Sequence, residues 1–274
     1  MIRRNFLAGA ASLFLGSERA WPNEKKAKIT NIGLQLYTVR EGLGRDFERT
    51  LAAVEEIGYR EVEFAGLFGH RPEDVKSILG RNGLRAPSSH VEYQSVESDW
   101  SKALDGAETL GNAFVVCPWI EPNQRRKLAD WKRIADALNR AGEQSRQRGI
   151  QFAYHNHDFE FKAQEGQLPY DLILAETDPA LVKMELDLYW ITRAGQDPLR
   201  YLRRYPNRFA LLHVKDMSSD GEIADVGSGV IDFPRIFEAA QEAGVLHQFA
   251  EHDHPKDPIS SISESFRFLQ QLRF

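Results

Sequence analysis

His155, Asp187, His213 and Glu251 each stand at or near the end of a short apolar run of strand length. In Val182-Lys183-Met184-Glu185-Leu186-Asp187, alternation puts the apolar residues on one face and Lys183, Glu185 and Asp187 on the other. His213 and Lys215 share a face of the run at 209–215, and Glu251 shares one with Phe249. With Phe152 and Tyr154 outward, Ala153, His155 and His157 point inward. Imidazole and carboxylate groups delivered together form the mixed nitrogen and oxygen donor set that a divalent cation requires. Burying an unpaired carboxylate costs several kcal/mol, so Asp187 and Glu251 near a barrel axis need a metal, a cation or hydrogen-bond donors. An internal ion-pair network of Lys183, Lys215 and these acids would answer the same need.

Positioning such a set requires strands that converge. After Lys28 the chain alternates short apolar runs with longer segments of helical period. Eight strands are expected, at 32–37, 61–65, 86–91, 113–118, 151–157, 182–187, 209–215 and 247–251. One helix should bury Phe47, Leu51 and Val54, and the last should bury Ile259, Ile262, Phe266 and Leu269. Gly58, Gly83, Gly111, Gly149 and Gly244 each precede a strand, where a left-handed helix end suits glycine. The fold class is therefore α/β, a single (β/α)8 TIM barrel over residues 29–274. An open doubly wound sheet is the rival, but Gln35-Leu36-Tyr37-Thr38-Val39 lacks the glycine-rich phosphate turn expected after its first strand.

Several segments, in this order and one per strand, carry a resemblance. They are Ile32-Gly33-Leu34-Gln35-Leu36-Tyr37-Thr38, Gly58-Tyr59-Arg60-Glu61-Val62-Glu63-Phe64 and Tyr154-His155-Asn156-His157-Asp158-Phe159-Glu160-Phe161. With them stand Glu185-Leu186-Asp187, Leu212-His213-Val214-Lys215-Asp216, Gly227-Ser228-Gly229-Val230-Ile231-Asp232-Phe233 and Phe249-Ala250-Glu251. Over about residues 29–272 the chain resembles the sugar phosphate isomerase/epimerase superfamily, the xylose isomerase-like or AP-endonuclease-2-like barrels. The resemblance implies a divalent metal ion, Mn, Mg, Co or Zn, with Asp187, His213 and Glu251 as its ligands from strands six to eight. Epimerases of this kind usually carry a glutamate on strand five, where this chain has His155. Inosose dehydratases of the same superfamily are similarly rich in histidine there.

The expected chemistry begins with removal of a proton beside the carbonyl of a keto-sugar or related carbohydrate, giving an enediolate. Isomerisation or epimerisation follows by reprotonation. A lyase or dehydratase acting on a 3-keto-glycoside or inosose-like substrate would instead lose a β-oxygen. A noncatalytic sugar-binding barrel is the third reading. Proton carriers are sought among Glu251, Glu160 and His157, with Lys215 to neutralise an oxyanion. Glu63 and His90 are candidates for substrate hydroxyls, and Trp119 and Trp190 for an aromatic wall. The glycine-bearing loop 225–233 is expected to fold over the mouth.

Acidic residues outnumber basic ones 40 to 35, and no basic stripe follows a phosphate backbone, so nucleic acid is a poor partner. The expected partner is a small unphosphorylated carbohydrate or cyclitol, with homo-oligomerisation left open. No apolar stretch reaches the roughly 20 residues of a membrane helix. Cys117, the single cysteine, reads as a small core residue. Arg3-Arg4-Asn5-Phe6-Leu7 before an uncharged apolar stretch is similar to a twin-arginine export signal. Residues 1–28 are therefore expected to be a signal peptide and linker, and the protein periplasmic or otherwise exported.

Overall fold

The computed structural model describes residues 26–274. Eight parallel strands form a closed barrel: β1 Gly33–Gln35, β2 Glu61–Phe64, β3 Arg85–His90, β4 Phe114–Cys117, β5 Gln151–His155, β6 Val182–Asp187, β7 Phe209–Val214 and β8 His247–Ala250. Each pairs with the next, and β8 returns to β1 through Gly33 opposite Phe249. Helices Phe47–Ile57, Pro72–Arg81, Trp100–Leu110, Leu128–Gln147, Pro169–Glu176, Pro198–Arg204, Phe233–Ala243 and Pro258–Gln271 follow the successive strands. The expected TIM barrel is the observed fold. Almost all of the proposed leader, residues 1–28, lies outside the described residues, although Ala27 exchanges backbone hydrogen bonds with Phe274. Among the described residues, no helix is long and apolar enough to cross a membrane.

Strand alternation divides the apolar residues into two layers. Val182, Met184 and Leu186 of β6 face the helices, while Phe114, Val116, Ala153, Leu211 and Phe249 fill the barrel interior beneath its upper rim. Gly33 makes that interior possible, because a Cβ there would overlap the Phe249 ring. All five glycines expected at helix ends have positive φ. Gly58 has a second reason as well, since a Cβ would stand 2.5 Å from the Phe266 ring.

Three expectations about elements change. Strand β1 stops at Gln35, and Leu36–Val39 form a 3-10 turn capped by the Gln35 side chain, which accepts from the Tyr37 N–H at 2.9 Å. Strand β5 stops at His155, because the turn that follows, Phe159–Phe161, begins to bend the chain before His157 can pair. In the last helix, Ile262 and Leu269 are buried and Phe266 is partly buried, but Ile259 is 42% exposed. Ser261 and Ser265 lie on the buried stripe with Ile262 and Leu269, which rotates the helix face away from Ile259.

Candidate metal centre

Four adjacent strands bring their final inward residues to the C-terminal rim of the barrel. Asp187 and His213 face one another across β6 and β7, and they are paired in register. Both are completely buried, and Glu251, just past the end of β8, is nearly so. His213 Nδ1 lies 2.7 Å from Glu251 Oε2 and 3.9 Å from Asp187 Oδ2. Ligands around a cation bound at about 2.1 Å stand at such spacings.

The hydrogen-bond pattern tests whether a metal fits. Asp187 Oδ2, His213 Nδ1 and Glu251 Oε2 are buried and make no well-aligned hydrogen bond, although they lie within ion-pair distance of one another or of Lys215. Two carboxylate oxygens and one imidazole nitrogen, converging on one point, match the donor chemistry of a divalent ion. The remaining ligand atoms are held in place: Asp187 Oδ1 accepts from the Trp190 N–H at 2.8 Å, and His213 Nε2 meets Glu63 Oε2 at 2.7 Å.

Lys215 completes the electrostatics. Its Nζ is 3.1 Å from Asp187 Oδ2, 2.8 Å from Glu251 Oε2 and 2.8 Å from Asp253 Oδ1. Burial works against a charged Lys215, but the three acids outweigh it and raise its pKa. Burial would likewise raise Glu251, yet Lys215 and His213 hold its carboxyl far below the usual range. Asp187 goes the other way: burial exceeds the help from Lys215 and His213 and pushes it up to about 6. The expected ion-pair network thus includes Lys215, whereas Lys183 points to the opposite end of the barrel and donates to the Asn207 carbonyl at 2.7 Å.

The structure divides the four residues expected to hold the metal. Asp187, His213 and Glu251 form one group, while His155 joins His90, Glu185 and His213 in a second. His155 Nδ1 is 3.3 Å from Glu185 Oε2, and its Nε2 is 3.9 Å from Asp187 Oδ2. Burial, reinforced by the surrounding histidines, drives the His155 pKa well down and keeps its ring neutral.

Above the rim lies a cavity of about 590 Å³ whose lining includes His90, Trp119, His155, His157, Lys215 and Glu251. Burial and the nearby Lys215 ammonium lower the His157 pKa, leaving a neutral imidazole at the wall. Trp119 packs edge-on against it, with ring centroids 4.9 Å apart. Three other candidates are placed differently from the expectation. Glu160 is fully buried and absent from the lining, accepting from Tyr154 Oη at 2.7 Å and from the His157 N–H at 2.9 Å. The turn after His155 directs it back along the outside of β5. Glu63 is also buried below the cavity, accepting from Gln35 Nε2 at 2.7 Å and from Ser88 Oγ. Trp190 stands behind His157, centroids 5.3 Å apart, because the helix Leu188–Arg193 starts immediately after Asp187.

Loop 225–233 is no cover for the cavity, and none of its residues lines it. The Asp216 carboxylate accepts from the backbone N–H groups of Met217, Gly227, Gly229 and Ile231, pinning the loop. Gly229 permits that approach, since its Cβ would overlap Asp216. Cys117 is buried, and burial pushes its thiol up to about 12, in keeping with a core role. Sequence reasoning did not select Glu185 or Asp253 for the site. Each lies two residues from a chosen acid, and that period was the available signal.

Residues 51–272 match the family model of the xylose isomerase-like TIM barrel, and this chain belongs to that family. It is 32% identical to a sugar phosphate isomerase/epimerase from Parabacteroides distasonis ATCC 8503, covering 89% of this chain and 95% of that one with a TM-score of 0.78. It is 26% identical over 243 residues to the inosose dehydratase of Lacticaseibacillus casei, 74% of this chain and 80% of the relative. The IOLI protein, whose structure includes a zinc atom, shares the fold at 14% identity, with a TM-score of 0.68 over 86% of this chain and 95% of that one.

Proposed function

We propose that this chain is a metal-dependent isomerase acting on an unphosphorylated keto-sugar or related carbohydrate through proton removal beside the carbonyl. The observation that carries this reading is the convergence of Asp187 Oδ2, His213 Nδ1 and Glu251 Oε2 beneath a cavity lined by neutral His157. Asp187, His213 and Glu251 would hold Mn, Mg, Co or Zn, and a bound ion supplies Lewis acidity toward the substrate carbonyl. His157 takes the proton from the carbon next to that carbonyl and becomes an imidazolium. It then returns the proton to the neighbouring carbon. Lys215 places a fixed positive charge beside the oxygen that gains negative charge. Trp119, 39% exposed at the cavity wall, offers a flat apolar face to a sugar ring.

Lys215 is the one lysine or arginine among the described lining residues, and three acids neutralise it. Glu92 and Glu121 make the wall more acidic, so a phosphate would meet repulsion. That supports an uncharged substrate.

Elimination is the second reading. The same His157 imidazolium would protonate a departing β-oxygen, releasing water or an alcohol as the carbon–oxygen bond breaks. His155 in place of a strand-five carboxylate and the similarity to an inosose dehydratase favour it. Epimerisation needs a second proton carrier on the opposite face, and Glu160 is not in the cavity to provide one. Incubation of the Mn-loaded protein with keto-sugars, 3-keto-glycosides and inososes in deuterated water, followed by NMR, tests the proposal. Deuterium entry with a shifted carbonyl supports the isomerase, and loss of water or aglycone supports the lyase. Neither exchange nor turnover on any substrate leaves the noncatalytic sugar-binding barrel as the correct account. Export through residues 1–28 is a separate proposal, and recovery of the full chain from the cytosolic fraction alone would contradict it.

A further inference from the structure

We infer that Arg125, which lies outside the cavity lining, is a positioning residue that orients the His157 ring through Phe159. The inference rests on the reading of His157 as the proton carrier, and it serves isomerisation and elimination alike.

A histidine that moves a proton must present one ring nitrogen to the substrate in a fixed direction, and a hydrogen bond to the other nitrogen usually sets it. His157 lacks that bond. Its Nδ1 is buried without a hydrogen-bond partner, and the N–H it gives to Glu160 belongs to the backbone. Ring packing is therefore what fixes the imidazole plane. Phe159 lies nearly parallel to it, with an interplanar angle of 9° and centroids 5.4 Å apart. Trp119 stands at 86° to both rings, so it borders the cavity without defining that plane.

Phe159 is itself buried, and two groups locate it. The Trp131 ring stacks on it with centroids 6.3 Å apart, and the Arg125 guanidinium carbon stands 3.4 Å from its ring centre. A planar guanidinium laid on an aromatic face is held by the ring quadrupole as well as by contact. The Arg125 plane cannot turn freely, because its Nε donates to the Ile120 carbonyl at 2.7 Å. Its backbone carbonyl accepts from Gln164 Nε2 at 3.3 Å, a tie to the segment just beyond the turn Phe159–Phe161. Arg125 belongs to the loop between β4 and the helix Leu128–Gln147, whereas His157 and Phe159 follow β5. The stack thus joins two neighbouring loops at the rim, and Arg125 acts on the reaction without touching the substrate.

The test is NMR of full-length protein in Mg2+ with isotopically labelled histidine, the His157 ring signals being assigned by their absence in His157→Gln. In Arg125→Ala those signals should move and broaden, while those of His247, at the opposite end of the barrel, stay in place. Arg125→Lys keeps a cation over Phe159 and should return them toward the wild-type positions. On whichever keto-sugar, 3-keto-glycoside or inosose wild type turns over, Arg125→Ala should lower kcat by about 10-fold or more and change KM by less than about 2-fold. Phe159→Leu, with its fold checked by circular dichroism, should act in the same direction. Unmoved His157 signals in Arg125→Ala overturn the inference, whatever happens to turnover. A raised KM at unchanged kcat overturns it too, since Arg125 would then shape binding alone. Moved signals with kcat and KM both unchanged retain Arg125 as the group that orients the ring and remove His157 from the proton transfer, which overturns the proposed mechanism instead.

Discussion

His213 Nε2 meets Glu63 Oε2 at 2.7 Å, and this contact between β7 and β2 fixes which ring nitrogen faces Asp187 and Glu251. A histidine that donates from one nitrogen to a carboxylate presents the other as a more basic, oriented lone pair. Glu63 is itself held by Gln35 and Ser88, so its orientation is set before any ion arrives. Glu63→Gln should weaken Mn2+ binding by about 10- to 100-fold while the fold persists. Titration calorimetry on the metal-free variant checks this, and unchanged affinity would remove Glu63 from the account. Glu63→Asp, which keeps the charge but shortens the reach, should recover part of the loss.

Glu160 gives a pH signature in stability rather than in catalysis. Burial raises its carboxyl to about 7 from the ordinary 4.5, against the opposing help of Tyr154 and the His157 N–H. The native state therefore binds this proton more tightly than the unfolded state does. Its contribution is complete below about pH 4.5 and is lost as pH rises through about 7. The difference is on the order of 3 kcal/mol. Urea unfolding at pH 5 and pH 8 should show wild type losing more stability over this interval than Glu160→Gln, and parallel behaviour would contradict the assignment.

Asp216 should matter to the loop and not to the metal. Asp216→Ala leaves the N–H groups of Gly227, Gly229 and Ile231 without their acceptor. A cost of about 2–4 kcal/mol is expected, lowering Tm by roughly 5–15 °C. Limited proteolysis should then cut within residues 225–233, and an uncut loop at unchanged Tm would show that the pinning is unimportant.

Trp119 is predicted to bind substrate without entering the proton transfer. Trp119→Ala should raise KM by about 3- to 10-fold and leave kcat near the wild-type value. A fall in kcat at constant KM would instead give the ring a part in the reaction.

Period-two alternation was enough to expose Asp187, His213 and Glu251, because barrel closure forces inward strand positions to meet at one rim. Glu160 was less legible: alternation ceases after His155, and the turn sends the side chain to Tyr154. Trp190 was misread for a similar reason, since a helix begins directly after Asp187. The role of Glu63 could not be read locally, as its partner His213 is 150 positions away and reaches it only across the barrel interior. His155 stands between the two groups, sharing His213 with the second and lying 3.9 Å from Asp187 Oδ2, a placement that residue spacing does not encode.

Metal binding by the upper centre tests the account most directly. Protein purified without chelator, with its metal content measured by mass spectrometry, should contain a divalent ion. His213→Ala and Glu251→Gln should each lose about one equivalent while keeping native circular dichroism, since both remove a donor atom from the set that converges beneath the cavity. Wild type that takes up no divalent ion, or variants that retain the full wild-type content, would contradict the central claim.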